Sequence, residues 1–216
     1  MLSLSLPPGP LNILCLGAHA DDIEIGCGGT ILALLAARPN VNCHCVVFSG
    51  GGGAREREAR TSADLFLAGA AAREVSVHQF RDGHFPALLS GIKDVLEAVK
   101  RAFTPDVVFA HSRDDRHQDH RIVSDVAWQT FRDQLILEYE IPKWDGDLGQ
   151  PNQYFPLPRD TARRKIEHLL AAFASQQRKR WFTDDTFLAL LRLRGVECGA
   201  EEGYAEAFYG RKVLLQ

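Results

Sequence analysis

The sequence contains no Cys-x-x-Cys pair, no long apolar run and no large excess of one charge. Its five cysteines, Cys15, Cys27, Cys43, Cys45 and Cys198, are odd in number and without paired spacing. That argues against a disulfide framework and for reduced thiols in a cytoplasmic protein. Cys43 and Cys45 alternate within an apolar run and therefore share one face of a strand. No apolar stretch approaches the roughly 18 residues of a membrane span, so no stable membrane insertion is expected. The opening MLSLSLPPGP lacks a basic leader and is broken by prolines, which does not read as a signal peptide. A net charge of −3 gives no whole-chain attraction to nucleic acid. The short basic run RKR at 178–180 suits a solvated helix face equally well. There is no G-x-G-x-x-G, and no glycine loop leads into Lys-Ser or Lys-Thr, so a phosphate cradle is a poor reading of the glycines at 26–29.

What is present is an ordinary globular chain of 216 residues, 45% hydrophobic and 25% charged. Its length suits one domain, 1–216. Apolar runs alternate with helical patterns. Strands are expected at 11–17, 41–49, 74–80 and 105–112, and helices at 25–37, 54–71, 86–103 and 121–136. That alternation implies right-handed crossovers and a Rossmann-like three-layer α/β/α fold with a mainly parallel sheet. The pattern then breaks at 141–158, which holds four prolines and three large aromatics and reads as a long loop over the carboxyl edge of the sheet. Helices around 160–176 and 184–194 and a late strand at KVLL, 212–215, complete the expectation.

Two clusters carry the chemistry. His19, Asp21, Asp22 and Glu24 follow the first strand, and HSRDDRHQDHR, 111–121, follows the fourth. In a sheet of order 3-2-1-4 the first and fourth strands are neighbours, and the crevice beyond their carboxyl ends is where such folds bind ligands. A catalytic zinc takes three protein ligands from His, Asp, Glu or Cys and keeps a position for water. Together the clusters can supply two histidines and a carboxylate, with an aspartate to spare as base and a histidine as acid.

AHADDIEIGCGGTI followed by DDRHQDHR resembles the PIG-L/LmbE-like zinc-dependent N-deacetylases of N-acetylglucosamine derivatives. The likeness runs from residue 12 to about 137, with echoes at SQ (175–176) and YAEAF (204–208). It implies zinc on His19, Asp22 and His120, Asp21 as general base, His117 as general acid, and Asp119 orienting His117. Ferrous iron suits the same donors. Ile23 stands where many members have glutamate, with Glu24 one place later. The loop SGGGGAREREAR (49–60) follows the second strand; from the resemblance Arg57 is the expected substrate arginine there, and Asp82 in FRDGH a candidate for a sugar hydroxyl. His84 and Tyr204 are further candidates, and His111 is a support for the site. Asp114 and Asp115 read as solvated loop charges, and His44 and His78 as packing residues. The implied activity is removal of acetate from an N-acetylated amino sugar or its conjugate, a small-molecule substrate, in a chain that can form a homo-oligomer. The competing readings are a metal-free nucleotide or sugar-nucleotide binding module, and a deacylase of another amide such as an acylated antibiotic.

Overall fold

In a computed structural model, residues 2–213 are described. Seven strands form one sheet in the order β3-β2-β1-β4-β5-β7-β6. The strands are β1 Leu11–Gly17, β2 Val41–Val47, β3 Ala72–Val77, β4 Val107–His111, β5 Leu135–Tyr139, β6 Gln153–Leu157 and β7 Tyr204–Gly210. From β3 to β5 all pairs are parallel, while β7 runs antiparallel to both β5 and β6. The helices are α1 Asp22–Ala37, α2 Ala54–Phe66, α3 Leu89–Ala102, α4 Gln118–Thr130, α5 Arg159–Ala172 and α6 Asp184–Cys198. One apolar core lies between the sheet and α1, α2, α5 and α6, and a second lies between the opposite face and α3 and α4. The three-layer α/β/α arrangement with a mainly parallel sheet is therefore present, and its β3-β2-β1-β4 half has the expected order.

The central strands are continuous apolar runs because both faces are covered; β1 is buried at every position except Asn12. Helix α1 begins with Asp22 and Glu24, acids that suit the positive end of a helix dipole. Its glycines allow close packing. A Cβ on Gly28 would come within 2.6 Å of the Phe66 ring, one on Gly29 within 2.6 Å of Leu157 Cδ1, and one on Gly26 would enter the ring of Tyr139. Each glycine costs the helix about 1 kcal/mol of propensity, which the close approach of neighbouring elements offsets.

Three expectations need correction. The helix expected at 121–136 ends at Thr130, and Leu135 and Ile136 begin β5. The intervening RDQ is a bend, and the apolar residues beyond it belong to strand periodicity. The loop expected throughout 141–158 contains β6, whose Pro156 is accommodated because β6 is an edge strand pairing only with β7. Among the described residues the last strand is β7: Lys212 and Val213, the described part of the strand expected at 212–215, are not in a strand, and Leu214 and Leu215 lie outside the described residues.

Candidate metal centre

Because β1 and β4 are adjacent and parallel, the segments leaving their carboxyl ends meet. Beyond β1 the chain turns through His19 and Asp21 into α1. Beyond β4 it turns through Asp115 and His117 into α4, whose first turn carries Asp119 and His120.

Each of two histidines is held by a carboxylate on its far nitrogen. Asp115 Oδ2 lies 2.9 Å from His120 Nδ1. Asp82 Oδ1 and Asp119 Oδ2 lie 3.1 and 3.3 Å from His19 Nε2. An ionised carboxylate only accepts, so these nitrogens carry protons, and in the neutral ring the opposite nitrogens present lone pairs. Those two, His120 Nε2 and His19 Nδ1, are 3.2 Å apart. Asp22 Oδ2 is 3.6 Å from the former and 3.3 Å from the latter. Three acceptors thus converge on one point. A tetrahedral zinc with bonds of roughly 2.0–2.1 Å sets neighbouring ligand atoms roughly 3.3–3.4 Å apart, so the donor set fits such an ion in spacing and in chemistry.

The electrostatics agree. Burial pushes Asp22 up, but the facing His120, His111 and His19 outweigh it and hold its carboxyl well below the usual range. Burial, followed by the neighbouring His111, brings His120 down to about 4. Burial also opposes charge on His19, yet Asp22, Asp119 and Asp82 outweigh it and raise its pKa well above normal. A site that draws a proton onto His19 is a site short of positive charge.

Around this triangle stand the remaining groups. His111 is fully buried, with Nε2 3.1 Å from Asp22 Oδ2 and its ring stacked on His120 at 3.9 Å between centroids. Asp21 is buried, and a guanidinium nitrogen of Arg55 bonds its Oδ1. Burial raises the Asp21 pKa and Arg55 opposes the rise. Arg55 is in turn held by Glu58 at 2.9 Å. His117 caps α4: its Nδ1 accepts from Asp119 N at 3.3 Å. Burial, then His19, lowers the His117 pKa. His19, Asp21, Asp22, His117 and His120 border a cavity of about 320 Å³ that Arg55, Lys143, Trp144, Gln176, Lys179 and Trp181 also line.

His19, Asp21, Asp22, His117, His120 and Asp82 thus come together, and five other residues are placed otherwise than expected. Arg57 is exposed and does not line the cavity. The inward stripe of α2 runs through Arg55, Glu58, Ala59 and Ser62, and at 100° per residue Arg57 falls on the opposite side. Asp119 orients His19 rather than His117, and its carboxylate is fixed by the N–H groups of Gly83 at 2.6 Å and Phe85 at 3.1 Å. Asp115 is buried rather than solvated. Tyr204 lies beside Arg159 and Arg192, and His84 is exposed; neither lines the cavity. Glu24 is buried under α2, receives a 2.7 Å bond from Ser62 Oγ, and burial lifts its pKa to about 8. Arg55 was legible from helical periodicity. Lys143, Trp144, Lys179 and Trp181 were not, because only the folded loops bring them to the cavity.

The fold and the cluster define an α/β protein that gathers histidines and aspartates over the β1–β4 crevice. Residues 14–131, more than half of the chain, match the family described as "PIG-L: GlcNAc-PI de-N-acetylase", and the chain belongs to that family. An uncharacterized deacetylase of Escherichia coli (strain K12), YaiS, is 34% identical over 144 residues, covering 61% of this chain and 74% of that protein. Among solved structures, the N,N'-diacetylchitobiose deacetylase of Pyrococcus horikoshii superimposes with a TM-score of 0.69 at 21% identity, covering 93% of this chain and 83% of that one. The 4-carboxy-2-hydroxymuconate hydratase GalB of Pseudomonas putida KT2440 superimposes at 0.72 with 18% identity, covering 95% and 98%. At these identities the two structures share the fold.

Proposed function

We propose that the protein is a metal-dependent hydrolase that removes the acetyl group from an N-acetylated amino sugar or its conjugate. The observation that carries this reading is the convergence of His19 Nδ1, His120 Nε2 and Asp22 Oδ2, which lie 3.2, 3.3 and 3.6 Å from one another. These residues would hold zinc or ferrous iron, which when bound supplies Lewis acidity toward water and the acyl oxygen. A metal-free nucleotide-binding module has no use for such a convergence. The hydratase neighbour is a reminder that the fold alone does not choose the reaction.

The chain's own groups divide the remaining work. Asp21 borders the cavity with its carboxylate on Arg55, and it accepts the proton of the attacking water. Its raised pKa makes it a better base than an exposed aspartate. His117 holds its Nδ1 toward the Asp119 amide. Its Nε2–H is then the group that can hold the acyl oxyanion, and the proton that Asp21 has taken from water, rather than one from this neutral ring, goes to the departing amine, which leaves poorly without one. Asp119 and Asp115 fix the two histidine ligands in tautomer and direction.

The test separates metal from proton transfer. Asp21→Asn is expected to lower acetate release at least about 100-fold while bound metal stays stoichiometric by elemental analysis. His120→Ala is expected to lose both. Near-native turnover in Asp21→Asn would show that another group is the base.

A further inference from the structure

We propose that Lys143 is a positioning residue of the metal centre, and that the turn at 143–147 is a clip holding the loop between β4 and α4 in the geometry its histidines need; this rests on the metal-dependent reading above. The turn, KWDGD, belongs to the long connection between β5 and β6 and reaches the site only through the fold. Gly146 takes a φ of +60°, a left-handed conformation that turns the chain back on itself. Asp147 returns to Lys143, and its Oδ2 accepts from Nζ at 2.6 Å. The same oxygen accepts from the backbone N–H of Arg116, the residue before His117, at 2.7 Å. In the other direction Lys143 Nζ lies 3.0 Å from Asp115 Oδ2. That oxygen is the one that holds His120 Nδ1 at 2.9 Å, while Asp115 Oδ1 accepts from His117 N at 2.8 Å. One ammonium thus joins the two carboxylates that fix the approach to α4.

The three side chains are almost wholly buried, Lys143 at 6% exposure, Asp115 at 4% and Asp147 at 6%. Asp145 stands further off, 3.9 Å from Nζ and 38% exposed. An exposed ion pair would contribute little. Here, removing the lysine leaves two buried like charges facing each other, the arrangement that burial tolerates least. Asp115 then moves away from Asp147, and the direction it imposes on His120 goes with it. Of the cations bordering the cavity, Arg55, Lys143 and Lys179, only Lys143 among the described residues bonds a carboxylate that holds a proposed ligand. The clip is therefore both a wall of the cavity and a support of the ligand behind it.

Zinc affinity of the full chain is measured by competition with a chromogenic chelator. Lys143→Met is expected to weaken zinc about tenfold, as loss of a group behind a ligand does. The sign is diagnostic. Deleting a positive charge beside a cation site strengthens cation binding if charge alone acts, so weaker binding reports lost positioning. Lys179→Met removes the same charge from the same cavity without a bond to Asp115, and it is expected not to weaken zinc. In the Asp115→Asn background Lys143→Met is expected to add less than about twofold, because the route to His120 is already cut. Lys143→Arg, whose guanidinium can bridge both carboxylates, is expected to recover most of the affinity. If Lys143→Met does not fold, Lys143→Gln takes its place, with a change in the same direction. Unchanged or tighter zinc, an equal loss in the wild-type and Asp115→Asn backgrounds, or no recovery with Lys143→Arg overturns the clip. A wild-type chain that binds no zinc rejects the metal centre and the clip with it, whereas zinc binding indifferent to Lys143 rejects the clip alone.

Discussion

Asp115 shows what a residue does once its surroundings are known. In the sequence it is one of several charges in RDDRHQD, and nothing local distinguishes it from Asp114. In the fold it is buried against His120 and Lys143, and burial is outweighed by His120, which holds its carboxyl well below the ordinary range. Asp115→Asn is therefore expected to weaken zinc binding about 10- to 100-fold, measured by competition with a chromogenic chelator. Unchanged affinity would mean that His120 needs no partner. The proposed ligands were legible from the resemblance of the two motifs that carry them, while their orienting partners depend on which side of a turn faces inward. A different residue sets a pH dependence. His78 has a buried Nε2 without a partner among the described residues, and burial lowers its pKa. The unfolded chain takes up the proton near the ordinary value of about 6.5, the folded protein only at lower pH. Stability is thus held above that value and falls as the pH drops through it. The melting temperature is expected to fall between pH 7 and pH 5, with a shallower fall in His78→Gln; identical slopes would refute the assignment.

At the scale of elements, the parallel half of the sheet was readable because each buried strand is an apolar run followed by a helical pattern. The half beyond β4 was not. β5 follows α4 after a short bend, so its apolar residues extend the helical pattern by accident. β6 hides in a proline-rich stretch, where edge position rather than composition permits a strand. What joins the two halves is a buried ion pair: Lys165 on α5 meets Glu206 on β7 at 2.5 Å, and Lys165 also donates to the Ile25 carbonyl at 2.6 Å. Glu206 takes the N–H groups of Gly29 and Thr30 at 2.8 and 2.6 Å. Lys165→Met would strand that carboxylate, and a loss of about 3 kcal/mol is expected by urea unfolding. A loss below 1 kcal/mol would mean that the α1 amides alone satisfy it.

For the molecule as a whole, the candidate metal centre joins the starts of α1 and α4 across the middle of the sheet. An ion bound there and not in the unfolded chain adds stability by mass action, about 4 kcal/mol at a thousandfold excess over its dissociation constant. For a chain of this size, chelation is expected to lower the melting temperature on the order of 10 °C, by differential scanning fluorimetry with and without chelator and with zinc restored. No shift would argue that the converging donors hold no ion. Among the described residues no helix is long and apolar enough to cross a membrane.

The placement of β7 has a consequence for the order in which the protein takes shape. Every proposed metal donor lies before residue 121 in the chain, so a ribosome delivers them early. The slot between β5 and β6 stays open until Tyr204–Gly210 is made. Until then β6 has no partner and β5 keeps a bare edge, both of them templates for pairing with another chain. The last strand in the described sequence is thus the closing piece of the sheet, and a growing polypeptide is exposed to misassembly until that strand has been made.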